Sequence, residues 1–178
     1  MHLDEDIKIA GDKPSYTVKL NRLKEEEKVS LKDGEAQKAK RLGVLIAERY
    51  INEVKSTNEE PSSDLSLQIR LLLSFTATVG FEHFCKDDTV SGIAQKSFID
   101  RLRAEGDEFY KTSSDMGAFS FYYLAYRRGG DIERRMGQTF AMLCSSDGDP
   151  IYQERGEALY CWLSAEIRKA ISDLGLKN

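Results

Sequence analysis

The chain has 178 residues, of which 40% are apolar and 31% charged, with a formal net charge of −4. That length suits one domain able to bury roughly 70% of its unfolded surface, and the balance excludes a disordered chain. The acidic surplus argues against unspecific duplex binding, which draws on excess Lys and Arg, so no nucleic-acid partner is expected.

Residues 1–13 carry Asp4, Glu5 and Asp6 and no apolar export signal. They are expected to be a disordered acidic arm, with residues 14–178 forming a single helical domain. Pro14 to Val29 could form a short helix, with Tyr16, Leu20 and Leu23 on one side.

Asp33-Gly34 opens a clearer helix. Ala36, Ala39, Leu42, Gly43, Ile46, Ala47, Tyr50, Ile51 and Val54 step at the helical period and paint one apolar stripe. Ala39, Gly43 and Ala47 recur every fourth position, which would let a second helix approach closely. Ser56 to Pro61 reads as a breaker, and Ser62 or Ser63 as the next cap.

From Leu65 to Phe84 apolar side chains surround the helix axis. A helix apolar on every side is enclosed by its neighbours. Gln68, Arg70, Glu82 and His83 lie within the same stretch, and a bilayer would not hold them cheaply. This segment is therefore predicted to be the central helix, at about 63–86, with no membrane span.

Asp88 or Thr89 starts the next helix, with Val90, Ile93, Ala94, Ile99, Leu102 and Phe109 as candidates for burial. Gly106 weakens its far end by about 1 kcal/mol relative to alanine and marks a candidate stop. Ser113-Ser114-Asp115 reads as a cap cluster. Met116, Phe119, Tyr122, Tyr123 and Tyr126 then occupy adjoining faces of a further helix.

That helix ends in Arg127 and Arg128, where the carbonyl end of the dipole favours cations. Gly130 suits a left-handed position past the end, and Asp131 the next N-cap. Ile132, Met136, Phe140 and Leu143 form a stripe, with Gly137 and Ala141 as a small-residue face beside it. Ser145 to Gly148 terminates this helix. Asp149-Pro150 pairs an N-cap with a proline at the first helical position, and the last helix runs on to Gly175.

No alternating β-branched runs or hairpin signals interrupt this pattern. The predicted fold is all-α: an antiparallel bundle of six or seven helices around the central apolar helix.

Little in the sequence points to catalysis. His2 and His83 are the only histidines, and neither follows a glutamate by three positions as a di-iron bundle requires. No metal and no cofactor is expected. Cys85, Cys144 and Cys161 have no metal spacing and suit reduced core thiols of a cytoplasmic protein. No nucleophile elbow, P-loop or dinucleotide fingerprint occurs.

The informative stretch is the corner around Gly129-Gly130. Arg127, Arg128, Arg134 and Arg135 crowd it, and the helix N-terminus beyond adds free N–H groups. Together they could hold a phosphate, a carboxylate or an acidic peptide. Tyr123, Tyr126 and Tyr160 could line a cavity with Arg134. Against this, Asp131 and Glu133 occupy the same corner and could neutralise the arginines as a structural ion-pair cluster.

Three functions follow. The leading one is a non-catalytic module that contacts a protein partner or self-associates as a homo-oligomer. The second is a ligand-binding regulator with a small anion at the arginine corner. The third is an enzyme whose class the spacing does not reveal.

Overall fold

A computed structural model describes residues 33–60, 62–114, 117 and 119–177. The arm expected at 1–13, the helix expected at 14–29, and Asp115 and Met116 lie outside them. The described residues are all-helical: seven helices and no strand. They are α1 (Asp33–Ser56), α2 (Asp64–Phe84), α3 (Asp88–Glu105), α4 (Asp107–Ser114), α5 (Ser120–Arg127), α6 (Ile132–Leu143) and α7 (Pro150–Leu174). Residues 33 onward form one compact unit.

Caps set most boundaries where the sequence puts them. The Ser63 hydroxyl accepts from the Ser66 amide at 3.1 Å, and the Asp87 carboxylate from the Val90 amide at 2.9 Å. Asp149 accepts from the Ile151 amide at 2.9 Å with Pro150 in the first turn of α7. Gly175 closes α7 at φ +67°.

α2 is the core. Every residue from Ile69 to Phe81 is buried, and α1, α3, α4, α6 and α7 all pack on it. α5 joins them through rings: Phe75 of α2 meets Tyr122, Tyr123 and Tyr126 at centroid distances of 5.5, 5.1 and 6.1 Å. The enclosure fails only toward the two ends, where Leu67 on one side and Glu82 and His83 on the other are exposed.

Ion pairs at the ends reveal helix direction. Glu35 at the start of α1 meets Lys86 just past α2, and Lys55 at the end of α1 meets Glu105 at the end of α3. α1 and α3 therefore run together, with α2 opposed to both. Arg155 at the start of α7 reaches Glu59 beyond α1 at 3.4 Å, and the Lys86 amide donates to the Leu176 carbonyl at 3.0 Å. α7 is thus parallel to α2 and antiparallel to α1.

The small-residue positions serve this packing. A methyl group at Gly43 would strike the Ala94 carbonyl and come within 2.8 Å of the Phe98 amide nitrogen on α3. One at Gly137 would strike the Gln153 carbonyl on α7.

One boundary falls at the stop the sequence suggested, and one differs from the sequence reading. Gly106 stops α3 outright, its amide donating to the Leu102 carbonyl, and a separate α4 carries Phe109. The Ser113-Ser114 pair does not cap α5. Both serines end α4, where the Ser113 hydroxyl donates to the Tyr110 carbonyl at 2.9 Å. α5 begins only at Ser120, with no side-chain cap. The cysteines also differ from expectation. Cys85 is buried, but Cys144 and Cys161 are only half-buried.

Candidate functional site

The side chains of α5 divide by helical period. Tyr122 and Ala125 are buried, and Tyr123 and Tyr126 lie half-buried against Phe75. Phe121, Leu124 and Arg128 fall on the exposed side. Gly129 and Gly130 then take φ of +64° and +74°, a left-handed pair that glycine adopts at low cost. The sequence suggested Gly130 alone. The turn delivers the chain to α6, where the Asp131 carboxylate accepts from the Arg134 amide at 3.1 Å. One of the N–H groups expected to receive an external anion is therefore already taken.

The arginines do not neutralise themselves. Among the described residues no carboxylate lies within 4.0 Å of Arg127, Arg128, Arg134 or Arg135 in an ion pair. The ion-pair cluster that Asp131 and Glu133 suggested does not form.

Arg128 and Arg135 come together on one surface cleft of about 350 Å³. Arg135, Gln138, Thr139 and Met142 step along one face of α6 to build a wall. Ala125 and Arg128 contribute the α5 side, and Gln153 enters from α7. Asp147, in the loop before α7, is the one carboxylate lining the cleft. Arg135 is half-buried, and its Nη1 is fully buried with no hydrogen-bond partner among the described residues. A guanidinium N–H held away from water without an acceptor costs free energy, about 1–3 kcal/mol for a neutral group and more for a charged one.

The remaining candidates lie elsewhere. Arg127 and Arg134 are exposed and do not line this cleft. Tyr123, Tyr126 and Tyr160 belong to the other side of α5, toward α2 and α7. Burial raises the Tyr123 hydroxyl pKa most, with Glu82 adding to it and Arg127 opposing. Burial likewise raises that of Tyr160, with Tyr126 next among the causes. The structure thus separates the tyrosines from the arginine pair. Of the cleft residues, Gln138, Thr139 and Met142 were readable as Arg135 plus three, four and seven. Gln153 and Asp147 were not, because only tertiary packing brings them in.

A larger cleft, of about 690 Å³, opens where the C-terminal ends of α2 and α7 meet. Three of its charged side chains are already engaged: Lys169 pairs with Asp173 at 3.5 Å, and Arg168 lies 4.7 Å over the Phe84 ring. Burial is the first cause raising each thiol, and pushes Cys85, Cys144 and Cys161 up to about 11. Such thiols are almost wholly protonated near neutral pH and make poor nucleophiles there. Among the described residues no group of three or more His, Cys, Asp or Glu side chains could hold a metal ion, and no helix is long and apolar enough to cross a membrane. Comparison with protein-family models, curated proteins and solved structures returned no match.

Proposed function

We propose that this chain is a non-catalytic helical binding module that receives an anionic group in the Arg128–Arg135 cleft. The observation that carries the reading is Arg135, a half-buried side chain that lines an open cleft, makes no ion pair among the described residues and keeps one N–H buried without an acceptor. Arg128 lines the same space and makes no ion pair among the described residues, and Gln138, Thr139 and Gln153 supply neutral donors and acceptors around it. A guanidinium fork suits a carboxylate or a phosphate through paired N–H donors. The Phe121–Leu124 side of α5 favours a protein as the bearer of that anion. Self-association through the small-residue faces has weaker support, because Gly43 and Gly137 are spent on packing within the domain.

Thermal unfolding in graded citrate, phosphate and acetate tests the reading. The midpoint should rise and saturate with at least one anion. Arg135→Gln should weaken that response about tenfold or more, since hydrogen bonds to charged groups contribute about 1.5–3 kcal/mol. No saturable response, or one that Arg128→Gln and Arg135→Gln leave intact, would rule out the cleft as an anion site.

A further inference from the structure

We propose that the anion received by the cleft is a carboxylate of a protein partner, carried on a segment whose large apolar side chains cover Phe121 and Leu124; this rests on the anion reading above. Three observations support it. First, Phe121, Leu124 and Met142 are 54%, 58% and 42% exposed. They are half of the six large exposed hydrophobics among the described residues. Met142 lines the cleft itself.

Second, the apolar face runs into the cleft without a break. Phe121, Leu124 and Arg128 lie at successive i, i+3 and i+7 positions of α5, and Ala125 between them also lines the cleft. Exposed aromatic and aliphatic side chains beside arginine are the composition of an interface centre, where burial of the ring and pairing of the guanidinium reinforce each other. From Phe121 to Arg128 the helix rises roughly 10 Å, or two turns. A helical partner segment would match it with its acid about seven residues from its apolar pair.

Third, charge selects the group. Two guanidinium ions and the Asp147 carboxylate leave one net positive charge on the cleft. A single carboxylate neutralises that charge, whereas a phosphate dianion would leave the cleft with one net negative charge. The whole chain carries −4, so this patch stands out as the attractive face for an acidic segment.

Selection of a displayed library of random 16-residue peptides on the full chain supplies the test. Enriched peptides should carry an acid about two helical turns from large apolar residues. In fluorescence polarisation with the best synthetic peptide, Phe121→Ser, Leu124→Ser and Arg135→Gln should each weaken binding about tenfold. Amidating the peptide acid should weaken binding to the native chain by a similar factor, yet change little in Arg135→Gln. The serine variants alter exposed positions, so circular dichroism should show them folded.

Several results would overturn the proposal. One is no enrichment, and another is enriched peptides lacking an acid. A third is binding that uses Phe121 and Leu124 but ignores Arg135. Phe121-dependent binding to phosphatidylserine vesicles without any peptide binding would assign the face to a membrane. A Phe121-dependent dimer in sedimentation velocity would assign it to a second copy. If citrate still raises the unfolding midpoint while peptides fail, only the protein partner is lost. If citrate also fails, the anion site falls with it.

Discussion

Tyr122 and Arg135 each bury a polar atom without a hydrogen-bond partner, and the chemistry of the two groups gives them opposite meanings. The Tyr122 hydroxyl is neutral and enclosed with its ring, which stacks on Phe75 at 5.5 Å. Burial pushes its pKa far above the usual tyrosine range, with Cys144 a secondary cause. Nothing outside the domain reaches that hydroxyl, so it is a cost to folding. Tyr122→Phe should therefore raise stability by about 1 kcal/mol in chemical denaturation, because the ring contacts remain and the unpaired oxygen goes. A loss of stability would mean that the hydroxyl has a partner. Arg135 differs because its side chain is only half-buried and lines an open cleft. The sequence displayed the arginines but could not disclose this distinction. Whether Asp131 paired with an arginine or capped α6 depended on where one carboxylate turned, and it turned to the Arg134 amide.

At the scale of elements, local chemistry fixed the helix starts. Ser63, Asp87, Asp131 and Asp149 each accept a backbone amide in the first turn that follows. The exceptions have the same origin. α5 lacks a side-chain cap, so the sequence offered no marker for Ser120. Gly106, already a candidate stop in the sequence, does end α3 and leaves Phe109 to the separate α4. Phe98 went unnoticed as a core residue, although it is fully buried between Tyr50 and Phe81 at 5.8 and 5.9 Å. By contrast, the closeness implied by Ala39, Gly43 and Ala47 is realised between α1 and α3. Gly43→Ala should cost about 1–3 kcal/mol, because the added methyl meets the α3 backbone, which cannot yield as a side-chain tip can. Gly34→Ala, with open space around it, provides the control and should be neutral or stabilising by up to about 1 kcal/mol in urea unfolding. Equal effects at the two positions would contradict the tight α1–α3 approach.

Across residues 33–177 the organisation follows from one helix having no solvent face over most of its length. α2 supplies the surface against which the others bury their stripes, so its amides should open only with the whole unit. Native-state hydrogen exchange should find the slowest amides between Ile69 and Phe81. α5, with eight residues and no side-chain cap, should exchange faster by orders of magnitude. Slowest exchange on α5 instead would place the stable core elsewhere. The same contrast bears on function: the proposed binding face stands on a short helix that rests on the core through Tyr122, Tyr123 and Tyr126.

The sequence by itself determined the all-helical class, the central helix and most helix starts. Those depend on apolar period and on caps acting within a few residues. Tertiary structure alone decided that α1 and α3 run parallel, that Tyr123, Tyr126 and Tyr160 turn away from the arginines, and that Asp147 and Gln153 join Arg128 and Arg135. These outcomes depend on how helices dock, and docking direction is set by the summed shape of many side chains rather than by any local spacing.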